Sequence, residues 1–293
     1  QDKFVPQSLV EKWILHRVNQ TAQQLNQDML QRSFMSATSC VYNFWLYDLC
    51  DVYIEAIKPI TDAGADPSSR LSAQHTLYAC LDAGLKLLHP FMPFVTEELW
   101  HRLPQRPQET AETIAHARFP EWQAVHDFGK EAAHFDDVFA TVRAVRGLAA
   151  DYGLTSKIQA FVEVPNNEYR AVLESQCSVM HTLIKGCEKI MCVPAASDVP
   201  PGCVVASVSS SIQVHLLVSG LVDFDQELSK LAKKLTLNET QLQRTTALTQ
   251  KPDWSKTPED VRAHTQKRLD DLEAEKAALL QAQANFDKLR SSA

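Results

Sequence analysis

The chain has 293 residues, 45% of them hydrophobic and 22% charged, which is enough for two or three modest domains and a real core. Only eight glycines occur, which argues against a fold built on glycine-rich phosphate loops and favours helices. The net charge of −7 excludes a nonspecific polycation surface, though not a local basic footprint. From Leu221 onward 12 Lys/Arg balance 12 Asp/Glu, so the whole excess of acid lies upstream. No apolar run reaches the roughly 18 residues of a membrane helix, and no membrane partner is expected. The first residues, QDKFVPQSLVEKW, lack the basic start and apolar stretch of a signal peptide. They also lack an initiator Met, so the chain is expected to be cut from something longer. Seven cysteines, an odd number without any CxxC pair, read as reduced, buried thiols of a cytosolic protein.

Residues 7–33 carry apolar residues at helical spacing (Leu9, Trp13, Ile14, Val18, Leu25), with Ser8 as a cap. A second, strongly apolar helix is predicted over 35–58, ending at Lys58-Pro59. The turn TDAGADPSS follows. A third helix runs over about 69–89 and stops at Pro90, because a residue before proline is pushed out of the α region. In LLHPFMPFVTEELW (87–100) Pro93 opens the next helix, where a missing N–H is no loss. Phe91, Met92 and Phe94 are expected to fill this corner as core. Residues 104–122 read as loop and 128–150 as helix. All this makes a helical bundle of about five helices.

After Tyr152 the pattern changes. IQAFVEV (158–164), EKIMCV (188–193), CVVASVS (203–209) and IQVHLLV (212–218) are β-like, with a helix over 167–185, giving a small α+β module. From Glu227 on, Leu228, Leu231, Leu235 and Leu242, and then Leu269, Leu272, Leu279 and Phe286, keep 3-4 spacing. Asn238, Lys276 and Gln283 fall in the same register, and TQKPDWSKTPED lies between the two runs. Two amphipathic helices joined by a turn predict a short antiparallel coiled-coil hairpin. The fold class is mainly α, divided as 1–152 helical bundle, 153–220 α+β connector and 221–293 coiled-coil arm.

FWLYDLCDVYIEAIKP (44–59), LKLLHPFMPFVTEELWHRLP (85–104), RAVRGLAADYGL (143–154) and the terminal hairpin, in this order, resemble the C-terminal part of valine–tRNA ligases, the eukaryotic cytosolic form above all. MPFVTEELW alone is similar across the class I synthetases for Val, Ile and Leu. The first stretch together with the arm singles out the valine family. The resemblance implies an anticodon-binding bundle, a connector and an arm leaning on the tRNA elbow. It implies tRNA(Val) and the catalytic domain of the same polypeptide as partners, a cytoplasmic setting, and ATP with Mg as a substrate of the parent enzyme. The family's His-x-Gly-His and Lys-Met-Ser-Lys-Ser signatures do not occur in these residues, nor does GxGxxG or GxxxxGK[ST]. Thr155-Ser156-Lys157 is a chance tripeptide. No cofactor, no catalytic residue and no metal site is therefore expected in this chain. Two rivals are a non-catalytic helical protein-interaction scaffold and the equivalent region of an isoleucine–tRNA ligase.

On the anticodon side the cations expected to meet phosphate are Lys12, Arg17 and Arg32, with Arg143 and Arg146 one turn apart before the connector. Arg143 and Arg146 could instead pair with Asp136 or Asp151. In the arm the candidates are Lys230, Lys233, Lys234 and Arg244, then Lys251, Lys256 and Arg262 near the tip. Trp254 could pack the turn or stack on an elbow base. Phe44, Trp45, Tyr47 and Tyr53 read as core before base contacts. Asp48, Asp51 and Glu55 share one helical face on paper. They are expected to pair with cations of a neighbouring helix rather than hold Mg²⁺.

Overall fold

A computed structural model describes residues 5–62, 64–104, 110–219 and 224–249, together with scattered positions between 262 and 284. Helix α1 (Leu9–Leu30) begins with a capping box: the Ser8 hydroxyl accepts from the Glu11 N–H, and the Glu11 carboxylate accepts from the Ser8 N–H. The same carboxylate is buried, and takes further bonds from the Gln7 N–H at 2.7 Å and the Ser72 hydroxyl at 2.8 Å. Three donors offset the desolvation of one charge and pin α1 to α4 (Pro67–Leu88). Asp66 caps α4 by accepting from the Ser69 N–H. Both helices start at the same end of the bundle and run parallel.

The second helix departs from expectation. It is α-helical only over α2 (Phe34–Asn43), then π-helical from Phe44 to Ile54, then α-helical again as α3 (Glu55–Thr61). It also runs two residues past Pro59, whose missing N–H ends it one turn later than predicted. The wider π turn breaks the register counted on a 3.6-residue period. Asp48, Asp51 and Glu55 therefore do not share a cationic partner. Asp48 sits half-buried near Arg17, Asp51 is exposed, and Glu55 takes Lys58 of its own helix at 2.6 Å. Phe44 and Tyr53 are core as expected, with Tyr53 Oη donating to the Ala73 carbonyl. Trp45 is half-buried and donates to the Gly84 carbonyl at 3.2 Å. A Cβ on Gly84 would stand 3.0 Å from the Trp45 ring, so a larger residue would require that ring to give way. Tyr47 is exposed and packs edge-on against Tyr42.

Pro90 and Pro93 do make the corner between α4 and α5 (Pro93–Arg102). Of the apolar residues of that corner only Phe91 packs against the core, half-buried, while Met92 is 50% exposed and Phe94 90% exposed. The corner is closed instead by polar bonds: the His89 ring to the Thr96 hydroxyl at 2.8 Å, and that hydroxyl to the Met92 carbonyl. Beneath it Trp100 donates to Asp82, which also holds the buried Lys86 at 3.1 Å.

Helix α6 (Gly129–Asp151) joins bundle to sheet. Phe135 lies 4.8 Å from Trp13, centroid to centroid, while Val138, Val142, Val145 and Ala149 are buried further along. The sheet has the order β2-β1-β4-β3, from β1 (Ile158–Glu163), β2 (Cys187–Val193), β3 (Cys203–Ser207) and β4 (Gln213–Leu217). β1 and β2 are parallel, and their crossover holds two short helices, α7 (Asn167–Glu174) and α8 (Cys177–Leu183), in place of the single predicted one. Ala160, Val162, Val214 and Leu216 join the bundle residues in one continuous hydrophobic core. Gly186, at φ +78°, makes the turn into β2 where a Cβ would strike the Thr155 carbonyl at 2.3 Å. Among the described cysteines only Cys80 is fully buried and Cys50 is exposed, so the expectation of buried thiols fails for most of them; all seven are free.

Helix α9 (Phe224–Thr249) follows the sheet. Leu269 and Leu272 are buried, the Asn238 amide donates to the Leu272 carbonyl at 3.3 Å, and Lys276 meets Glu239 at 2.9 Å. Leu279 and Phe286 lie outside the described residues. No helix among the described residues is long and apolar enough to cross a membrane.

Burial raises the Asp48 carboxyl to about 6, against the lowering pull of Arg17. Its unfolded value is near 3.9. The folded state therefore holds this proton longer, and the group subtracts stability as pH climbs from about 4 to about 6. Asp48→Asn is expected to raise stability by roughly 1–3 kcal/mol at pH 7.5 and to leave it unchanged near pH 4. Urea melts of both proteins at the two pH values check this.

Candidate nucleic-acid interface

The predicted cations do not converge on one surface. Lys12 Nζ lies 3.2 Å from Glu131 and 6.0 Å from the centre of the Phe128 ring. Arg17 lies 2.9 Å from Asp136, which also accepts from the Trp13 indole at 2.9 Å. Both charges are thus spent on the seam between α1 and α6. Arg32 follows α1 in a left-handed conformation, φ +60°, and is exposed. The thirteen helical steps from Arg17 to the end of α1 alone span about 20 Å. Arg143 lies 5.2 Å over the Phe139 ring. Arg146 pairs with neither Asp136 nor Asp151. It donates through Nε at 3.0 Å to the carbonyl of Leu183, the last residue of α8, and so clamps the sheet module to α6. Two cationic sites of the anticodon side are therefore structural pairs, and Arg146 is a structural clamp. In the arm Lys233, Lys234, Arg244 and Arg262 are exposed. The side chain of Lys230, and Lys251, Trp254 and Lys256, lie outside the described residues.

What the fold does gather is a ridge formed by α2 and the first turn of the π-helix, with a groove on each flank. The groove toward α1 has a volume of about 430 Å³ and is lined by Arg17, Gln20, Gln24, Gln27, Asn43 and Asp48, among others. Gln24 is partly engaged, since its amide donates to Asp28 at 3.0 Å. The groove toward the α4–α5 corner has about 500 Å³ and a mostly apolar lining that includes Ser39, Tyr42, Trp45, Leu88, Phe91 and Met92. Asn43 borders both grooves. Tyr42 is 58% and Tyr47 52% exposed, and the 90% exposed Phe94 lies two residues beyond Met92.

This is the equipment for unpaired bases. Side-chain amides offer a donor and an acceptor together, so they can meet a base edge. Exposed rings offer faces on which any base can stack. Asp48 adds an acceptor whose protonation lies near neutrality. No cluster of His, Cys, Asp or Glu among the described residues is arranged to hold a metal ion. The signal for the polar flank is present in the sequence as Gln20, Gln24 and Gln27, one stripe at i, i+4, i+7 beside the apolar face of α1. The apolar flank is hidden in sequence because Phe94 and Met92 look like core.

Residues 11–164 match the family described as the anticodon-binding domain of tRNA ligase. The matched region takes in the whole bundle and strand β1. Over 229 residues, 78% of this chain, it is 42% identical to the mitochondrial valine–tRNA ligase of Saccharomyces cerevisiae, of which it covers 21%. Over 286 residues, 97% of this chain, it is 36% identical to the valine–tRNA ligases of Mus musculus and Homo sapiens, covering 22% of each. The chain thus spans little more than a fifth of these curated relatives. With its matched bundle and a likeness to valine enzymes along nearly its full length, the chain belongs to the anticodon-binding domain family of tRNA ligases.

Proposed function

We propose that this chain is the tRNA-holding, C-terminal part of a valine–tRNA ligase. The observation that carries the reading is a bundle of the anticodon-binding family that bears an amide groove and an aromatic groove side by side on one exposed ridge. In the whole enzyme ATP with Mg and valine give valyl-adenylate, and then valyl-tRNA, at sites in the catalytic part of the same polypeptide. This chain supplies no group to that chemistry. Its bundle holds the anticodon stem-loop of tRNA(Val), and the arm from residue 221, folded as an antiparallel coiled-coil hairpin, leans on the elbow. Two contacts far apart on one rigid tRNA fix where its acceptor end falls, and so contribute orientation rather than reactivity. The setting is cytoplasmic.

The bundle side binds through stacking and amide contacts, with Arg32 and Arg143 at its margins. The arm binds through Lys233, Lys234, Arg244 and Arg262, joined by Lys230, Lys251, Lys256 and Trp254. Counterion release makes the arm's share the salt-sensitive one.

Tyr42→Ala and Phe94→Ala are each expected to weaken binding of tRNA(Val) about 5- to 100-fold, the scale of one lost base–ring stack, with thermal unfolding unchanged. Lys12→Ala, which removes a charge already paired, is expected to leave affinity within about 2-fold. Filter binding measures all three. Undiminished affinity in both aromatic variants would sink the ridge as the base-binding surface. Removal of residues 221–293 is expected to reduce affinity and flatten its salt dependence between roughly 50 and 200 mM, while the far-ultraviolet helical signal of the bundle persists. Competition with tRNA(Ile) separates the valine assignment from the isoleucine one. Absence of binding at low salt would favour a protein-interaction scaffold.

A further inference from the structure

The sheet module carries a pair of thiols that the tRNA-binding role does not use. Cys177 is the first residue of α8 and Cys192 lies near the end of β2. Their sulfurs are 4.0 Å apart, and both side chains are partly exposed. The Cys192 thiol and its main-chain N–H both approach Cys177 Sγ, which lowers the Cys177 thiol below its ordinary range. Cys192 is held protonated by the same contact. One sulfur is thus prepared to lose its proton while its neighbour retains one. Arg170 and Glu174, themselves 3.6 Å apart, are the charged groups beside them.

We propose that Cys177 and Cys192 are an oxidation site, a dithiol that peroxide converts to a disulfide bridging α8 and β2. The Cys177 thiolate attacks one oxygen of hydrogen peroxide, the O–O bond breaks, and hydroxide leaves and takes a proton to become water. Cys177 is then a sulfenic acid, without the negative charge that kept Cys192 protonated. Cys192 loses its proton, its sulfur attacks that of Cys177, the S–O bond breaks, and water leaves. Two thiols are oxidised and one peroxide is reduced. The sulfurs must close from 4.0 Å to about 2.0 Å. The bridge would close a loop within the parallel crossover. It would also fix α8, the element through which the sheet module meets α3 and whose Leu183 carbonyl receives Arg146.

The experiment uses the full reduced chain. After hydrogen peroxide and alkylation with N-ethylmaleimide under denaturing conditions, titratable thiols are expected to fall from seven to five. Peptide mass spectrometry is expected to find the Cys177 and Cys192 peptides joined, lighter by two hydrogen atoms and separated again by dithiothreitol. Cys177→Ser and Cys192→Ser should each abolish the cross-link, and Cys50→Ser, at an exposed thiol elsewhere, should leave it unchanged. Independently of oxidation, phenylarsine oxide, which spans two neighbouring thiols, should be retained at one equivalent by the unaltered chain and lost in either variant. The proposal is overturned if Cys177 and Cys192 remain alkylated while other thiols oxidise, if Cys177 joins Cys187 instead, or if neither variant alters arsenical retention.

Discussion

Helix α6 is packed on two sides, and the rest of the molecule follows from that. It presents Phe135 to Trp13 and two acids to α1, and it also contacts β1, β3, β4 and α8, with Val142, Val145 and Ala149 in the shared core. Phe135, Val138, Val142, Val145 and Ala149 recur at 3-4 spacing, so a single apolar stripe along α6 serves both layers. Its remaining polar positions are committed too. Glu131 and Asp136 neutralise Lys12 and Arg17, while Arg146 closes on the Leu183 carbonyl. The seam thereby engages Lys12 and Arg17 in ion pairs, while Arg17 also borders the groove lined by Gln20, Gln24 and Gln27.

This division suits an acidic protein. A surface of net charge −7 gains little from long-range attraction to a polyanion, so the proposed recognition by the bundle face rests on shape, stacking and hydrogen bonds. The ridge between the two grooves is composed for this, with one arginine, several amides and several open rings. The arm has no excess acid of its own, and displays exposed Lys and Arg along α9. In the proposed reading the arm therefore attracts phosphate, and selective contacts are separated from salt-dependent ones.

Much of the architecture was legible in the sequence. Ser8 with Glu11, Pro90 with Pro93, and the change from 3.6-residue to 2-residue periodicity after Tyr152 each carry a local physical reason, and local reasons survive folding. The failures share one cause, which is that the partner lies far along the chain. Asp136 is 119 positions from Arg17, so nothing near α1 announces that its cations are taken. Phe94 and Met92 are apolar in an apolar context, yet among the described residues no element covers them. The π-helix escaped because no residue in FWLYDLCDVYI forbids an α-helix. Its register shift changed the reading of Asp48, Asp51 and Glu55 from a shared face to three separate environments. In the candidate site the glutamine stripe could have been read from spacing alone, whereas the aromatic flank required knowing what does not pack on it.

The continuity of the core also bears on how tRNA binding can be transmitted. The family match ends at residue 164, one residue past strand β1, but β1 is central, bonded to β2 on one edge and β4 on the other. A chain ending there would leave both edges of β1 open and the sheet-facing side of α6 bare. The bundle that carries the ridge is therefore completed by the module that follows it. Arg146 and the contact of α8 with α3 make this coupling direct. Any change at α8 acts on α3, which continues the same helical run as the ridge. Sheet and ridge are thereby two ends of one packed unit, joined through a continuous core.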